Sequence, residues 1–255
     1  MEMKRTIVVL GMHRSGTSMM GAILEKLGVN MGEEKLGASS SNPIGHFEDV
    51  IFVNINNRIL EDAGGSWDEP PDEESINNLE IKYRDDIKRI LDEKYKVYDI
   101  WGWKDPRTSL TIKLYHPFLE NVKYIYCLRD ESEVANSLYK RNKMPIEEGI
   151  KLKNIYDKRI EEFLKNIAED SYKSFYYEDI IKNPEKNIED LINFLGLKVT
   201  KKQKQEALEL ILPKEKLEKM KKSVKRRKLI IKGITKPWKI PNYLYKKIKN
   251  QGEGR

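Results

Sequence analysis

"VVLGMHRSGTSMMGAIL", residues 8–24, is the stretch on which the fold turns. Its apolar run extends back to residue 4 and breaks at Gly11, which reads as a buried strand over 4–10. From Thr17 onward Met20, Ile23, Leu24 and Leu27 recur at helical spacing, predicting a helix over 17–27. Gly11 and Gly16 between them have the spacing of a phosphate loop. Glycines there let backbone N–H groups turn inward toward an anion at a helix N-terminus. Arg14, Ser15, Thr17 and Ser18 add side-chain donors. Where a G-x-x-x-x-G-K-[ST] loop would place its lysine, Thr17 follows Gly16. The usual cation for the β/γ-phosphates of a nucleoside triphosphate is thus missing. Arg14 offers instead a planar fork of donors suited to a tetrahedral oxyanion.

Working outward, "GASSSNPIGHFED" (residues 37–49) has loop composition,. A helix is predicted over 48–62, "GGSWDEPPDEES" (64–75) breaks it, and an exposed, charged helix follows over 76–95. "DIWGWKDPRTSL" (99–110) passes from a short strand through a loop into a helix. A second strong strand is predicted over 122–128, with helices over 132–140 and 146–167, a short strand over 173–177, and a helix over 184–195 closed by Gly196,. Strands alternating with helices predict an α/β, P-loop-like three-layer fold: a mostly parallel sheet flanked by helices, with functional loops at the carboxyl ends of its strands.

The 255 residues, 39% hydrophobic and 35% charged, suffice for one sizeable domain with an extension. The division is expected at 1–200 and 201–255, the latter a basic, largely helical C-terminal extension. Residues 214–249 hold fifteen Lys/Arg against two Glu, a net +13, so the remainder of a chain of net charge +7 carries −6. The single cysteine, Cys127, lies inside an apolar run, and the three histidines have no ligand spacing. No metal site is expected. No apolar run approaches the ~20 residues that span a bilayer, and the chain reads as cytoplasmic.

"GMHRSGTS" (11–18) resembles the 5′-phosphosulfate loop of the sulfotransferases that use 3′-phosphoadenosine 5′-phosphosulfate (PAPS). "YIYCLRDESEVANSL" (124–138) is similar to that family's 3′-phosphate segment, a strand ending in Arg with a Ser eight residues later, here Arg129 and Ser137. "FYYEDIIKNPEKNIEDLINFLGL" (175–197) matches its third segment, with Tyr177 where the family contacts adenine. The likeness runs from residue 4 to 197. It is closest to bacterial-type enzymes with NPxGxxE and KDPR segments, with some likeness to the tyrosylprotein sulfotransferases. It implies that His13, Arg14, Ser15, Gly16, Thr17, Ser18, Arg129, Ser137 and Tyr177 bind the donor, with 3′-phosphoadenosine 5′-phosphate (PAP) as product.

The resemblance further implies catalytic roles for Arg14, for Lys104 of "GWKDPRTS" near the bridging oxygen, and for Glu48 of "NPIGHFED" as the base for the acceptor. Arg107 could assist or bind the acceptor, and His46 is the other candidate base. The bland readings are a local Lys104–Asp105 ion pair and a Glu48 that merely stabilises a helix N-terminus.

The tail interleaves cations with Trp238, Tyr243 and Tyr245. This pattern suits peripheral contact with an anionic membrane at its inner face, or a polyanionic glycan, better than nucleic acid. With the resemblance, it suggests an acceptor hydroxyl on a carbohydrate or glycolipid. An ATP-dependent small-molecule kinase and a non-catalytic nucleotide- or polyanion-binding module are the alternatives. Oligomeric state and acceptor identity are not legible.

Overall fold

The structure, a computed structural model, describes residues 4–35 and 47–211. Among them strands β1 (Arg5–Leu10), β2 (Ile100–Lys104), β3 (Val122–Leu128) and β4 (Tyr172–Tyr176) form one sheet in the order β2-β1-β3-β4. Every pairing is parallel. The helices are α1 (Thr17–Lys26), α2 (Val50–Asp62), α3 (Glu73–Asn77), α4 (Glu80–Val97), α5 (Thr108–Tyr115), α6 (Glu131–Asn142), α7 (Ile146–Leu164), α8 (Tyr177–Lys182), α9 (Pro184–Leu195) and α10 (Lys201–Glu209). The expected α/β fold is the one found.

Residues alternate across β1 because successive side chains of a strand point to opposite faces. Val8 and Leu10 enter one apolar cluster with Trp101, Trp103, Tyr124 and residues of α2, α4, α5 and α7. Ile7 and Val9 enter another with Ile125, Cys127, Phe175 and residues of α1 and α9. Both faces are therefore covered, which is why the strand reads as an unbroken apolar run. Phe52 of α2 stacks on Trp103 at 4.4 Å between ring centroids and 5° between planes. This contact fixes α2 over β2, and with it the residues just before α2.

Three boundaries move for local reasons. The helix predicted over 48–62 begins at Val50, because the Asp49 side chain accepts the Ile51 N–H as N-cap and leaves Glu48 outside the helix,. The helix predicted over 76–95 divides into α3, capped by Asp72, and α4. The strand predicted over 173–177 ends at Tyr176, and Tyr177 opens the short helix α8. The helix over 184–195 is found as predicted, with Gly196 left-handed at φ 57°,.

Helix α10 packs on α1 and α9, burying Ala207 and pairing Glu206 with Lys26 at 3.6 Å. His46 and the tail after residue 211 lie outside the described residues. Within the described residues no helix is long and apolar enough to cross a membrane.

Candidate active site

The strand registers Val9↔Lys104, Leu10↔Tyr126 and Leu128↔Tyr176 align the carboxyl ends of all four strands along one edge. The loop after β1, Lys104 at the end of β2, Arg129 after β3 and Tyr177 after β4 emerge there together. The neighbours of β1 lie on opposite sides of it, so this edge includes the switch point at which α/β sheets open a crevice for ligands.

The loop takes left-handed backbone at Gly11 (φ 138°), Arg14 (φ 74°) and Gly16 (φ 93°). The Gly11 N–H donates to Ser109 Oγ at 2.9 Å, anchoring the loop to the start of α5. Gly16 is the N-cap of α1 and, having no side chain, makes no cap hydrogen bond to the helix's first N–H groups. A Cβ at Gly16 would stand 2.8 Å from Tyr177 Cδ2, so glycine is needed both for the backbone angle and for the ring above it. The hydroxyl of Ser15 and Nε2 of His13, residues 1% and 8% exposed, have no hydrogen-bond partner among the described residues. Unmade bonds of this kind cost about 1–3 kcal/mol each. Two on one glycine loop at a helix start fit a cradle for an anion.

On one side of the loop, Arg14 Nε donates to Ser137 Oγ at 2.8 Å and Arg129 Nη1 donates to the Arg14 carbonyl at 3.0 Å. The Arg129 guanidinium lies 4.3 Å from the centroid of the Tyr177 ring and forms ion pairs with Glu133 at 3.2 Å and Glu178 at 3.8 Å. Burial, then the charge of Arg141, lowers the pKa of Arg14 to about 10. Four residues drawn from three separate segments thus form one connected group.

On the other side, Lys104 Nζ donates to Glu48 Oε1 at 2.7 Å and to Ser18 Oγ at 3.3 Å. Lys104 is fully buried and Glu48 is 4% exposed. Burial lowers the Lys104 pKa, and the charge of Glu48 opposes that shift. Glu48 Oε2 also lies 4.0 Å from Arg107 Nη1, which bonds Asp105 Oδ1 at 2.7 Å. Asp105 turns to Arg107, while Lys104 turns to Glu48. The simple Lys104–Asp105 pair is not what forms.

Behind this group, Asn56 Nδ2 donates to Asp105 Oδ2 at 2.8 Å and Thr108 Oγ1 at 3.0 Å. Asn56 Oδ1 accepts from Thr111 Oγ1 and Tyr115 OH, both at 2.8 Å. Asn56→Ala should therefore destabilise the fold by roughly 3 kcal/mol, since it strands several buried polar groups. Denaturant unfolding checks this; an unchanged midpoint would remove Asn56 from any supporting role.

His13 sits apart from both groups, its ring 4.5 Å from that of Trp67 and inclined at 61°. Burial, followed by the charges of Arg107, Arg141, Lys104 and Arg14, holds its pKa well below 6.5, so the imidazole is neutral at pH 7. Thr17 is buried. Ser109, Asn56, Trp67 and Arg141 were not singled out from sequence. A polar Asn at a core position of α2, and an Arg one turn after Ser137, were the available signals.

The sulfotransferase family model matches residues 6–201. No curated protein matches the chain. Among solved structures, the sulfotransferase domain of the Synechococcus PCC 7002 olefin synthase is similar with TM-score 0.54 and 16% identity, over 79% of this chain and 76% of that one. The sulfotransferase domain from the curacin biosynthetic pathway is similar with TM-score 0.54 and 14% identity, over 80% and 77%. At these identities the likeness is one of fold. The family match covers both the glycine loop and the strand ends gathered around it, and on that ground the chain belongs to the sulfotransferase family.

Proposed function

We propose that this chain transfers a sulfuryl group from PAPS to an acceptor hydroxyl, on a carbohydrate or glycolipid. The observation that carries the donor reading is the joining of Arg14, Ser137, Arg129 and Tyr177 into one network at the mouth of a loop with unpartnered buried polar atoms. Residues 13–18 take the 5′-phosphosulfate, Arg129 and Ser137 take the 3′-phosphate, and Tyr177 borders the adenine. The acceptor class rests on the family resemblance and on the charge of the tail.

In the reaction the bond between sulfur and the 5′-phosphate oxygen breaks as a bond from sulfur to the acceptor oxygen forms. The acceptor proton passes to Glu48, and PAP leaves. Lys104 stands beside Glu48 as the cation for charge developing on the bridging oxygen, and Arg14 neutralises the phosphate.

Labelled sulfate moving from PAPS to members of a panel of carbohydrate, phenolic and peptide acceptors tests the activity directly; no transfer to any of them would count against it. Thermal stabilisation separates the kinase alternative: PAP without Mg²⁺ supports the sulfotransferase, and ATP only with Mg²⁺ supports the kinase.

Arg129→Ala should weaken PAP binding by roughly 10- to 100-fold, the weight of a lost charge-assisted contact. Adenosine 5′-monophosphate, which lacks the 3′-phosphate, should bind the variant and the parent alike. Equal affinity of the parent for the two nucleotides would refute the assignment.

A further inference from the structure

The Asp105 carboxylate is fully buried and bonded on both oxygens. Its Oδ2 accepts from Asn56 Nδ2 at 2.8 Å, and its Oδ1 accepts twice from Arg107, from the backbone N–H at 3.2 Å and from Nη1 at 2.7 Å. Asn56 makes four side-chain bonds, to Asp105, Thr108, Thr111 and Tyr115, the full capacity of an amide. An amide so bound cannot turn over, and the carboxylate it holds is fixed with it. Arg107 therefore stands at the end of a chain of buried bonds.

That chain ends beside Glu48. Arg107 Nη1 lies 4.0 Å from Glu48 Oε2, whereas an N–H···O bond needs about 2.7–3.2 Å, so the guanidinium stops roughly 1 Å short. Glu48 Oε1 is taken by Lys104 at 2.7 Å. Oε2 has no hydrogen bond among the described residues. Arg107 Nε is buried without a partner there, so the guanidinium has a donor to spare. Asp105, rather than a shortage of donors, keeps it from Glu48. Both carboxylates favour the charge on Arg107, Asp105 more than Glu48.

We propose that Asp105 is a positioning residue for the base: it holds the Arg107 guanidinium short of Glu48 Oε2 and leaves that oxygen open to the acceptor proton. The inference rests on the reading of Glu48 as base given above. A guanidinium bonded to a carboxylate oxygen occupies its lone pair and makes it a weaker base. From 4.0 Å Arg107 still supports an ionised Glu48,, which Lys104 does less when it serves the bridging oxygen. The other charged groups around Glu48 are Lys104 of β2 and, at longer range, Asp105 itself and Arg141 of α6. In Asp105→Asn one end of the new amide meets a donor, Asn56 or Arg107, and the charge that restrains the guanidinium is gone. Arg107 is then free to close on Glu48.

The test follows the Glu48 carboxyl by carbon NMR of the full chain labelled at glutamate, with Glu48→Gln assigning its signal. In Asp105→Asn it should titrate at least about one pH unit lower than in the parent, the effect of a newly bonded arginine. Single-turnover transfer from PAPS to the fastest acceptor of the carbohydrate, phenolic and peptide panel should fall roughly 10- to 100-fold at its plateau, less than the whole contribution of a general base. The base works ionised, so the acid limb of the rate should move to lower pH with the titration. PAP affinity should stay within about twofold of the parent. Adding Arg107→Gln to Asp105→Asn removes the clamp. Glu48 should then titrate above the parent, and transfer should recover about tenfold over Asp105→Asn. Melting temperatures report folding, and the double variant stands in where the single one misfolds, since a buried pair is better removed whole than by halves. A Glu48 titration that does not fall in Asp105→Asn, or that matches the parent in the double variant, would overturn the proposal. Transfer lost equally in both variants would overturn it in favour of a structural role. A lowered titration with an unchanged rate would overturn the base reading of Glu48 and this inference with it, and a parent that transfers to no acceptor would overturn the activity itself.

Discussion

Replacing Glu48 by Gln is expected to lower the rate of sulfuryl transfer by roughly 10²- to 10⁴-fold, the range for a lost general base. The side chain keeps its shape and one oxygen for Lys104, but the amide cannot take the acceptor proton. Glu48 sits outside α2 because Asp49 performs the capping, so loss of a helix cap is not a route to the effect. The carboxylate accepts from Lys104, whereas Arg129 is held against Tyr177. PAP affinity should therefore stay within about twofold of the parent, because uniform binding and transition-state interactions are separable. The measurement is single-turnover transfer alongside PAP calorimetry. A Glu48→Gln variant with the parent rate would end the base assignment. A rate loss matched by an equal loss of PAP affinity would make Glu48 a structural partner of Lys104 alone.

Much of this arrangement was readable from sequence because it is local. The glycine loop, the strand before it and the helix after it lie within residues 8–24, where apolar period and glycine spacing act over a few positions. The strand over 122–128 and the helix over 184–195 were equally legible, each bounded by turn residues. The grouping of Arg14 with Ser137 was implied only by the family resemblance, since their 2.8 Å contact joins residues 123 positions apart. Arg141 stands one turn after Ser137, but its ring contact is with Trp67, from a segment read only as a helix-breaking loop. Asn56 was hidden for a related reason. In sequence it interrupts the apolar spacing of α2, and only folding brings Asp105, Thr108, Thr111 and Tyr115 to satisfy it. The choice of partner for Lys104 also depended on folding. Asp105 is adjacent in sequence, but beyond the end of β2 it bonds Arg107 and Asn56, and Glu48, just before α2, meets Lys104 instead.

Lys104→Met is expected to cost roughly 10²- to 10³-fold in transfer rate, comparable with removal of one preorganised donor at a developing charge. It should also destabilise the fold by about 3–5 kcal/mol, because breaking a buried ion pair leaves an uncompensated charge. That charge is Glu48, 4% exposed, with Arg107 at 4.0 Å as its remaining ion-pair partner among the described residues. The stability loss and the rate loss have different origins, and a double-mutant cycle with Glu48→Gln separates them. Stability of the double variant should recover toward the parent relative to Lys104→Met, since no bare carboxylate remains in the core. Transfer should not recover, and its loss should be smaller than the product of the two single losses, as for groups acting on one transition state. Denaturant unfolding and single-turnover transfer on the four proteins give both quantities. Recovered transfer in the double variant would show that the pair serves folding alone. Strictly multiplicative rate losses would show that Lys104 and Glu48 act at separate steps.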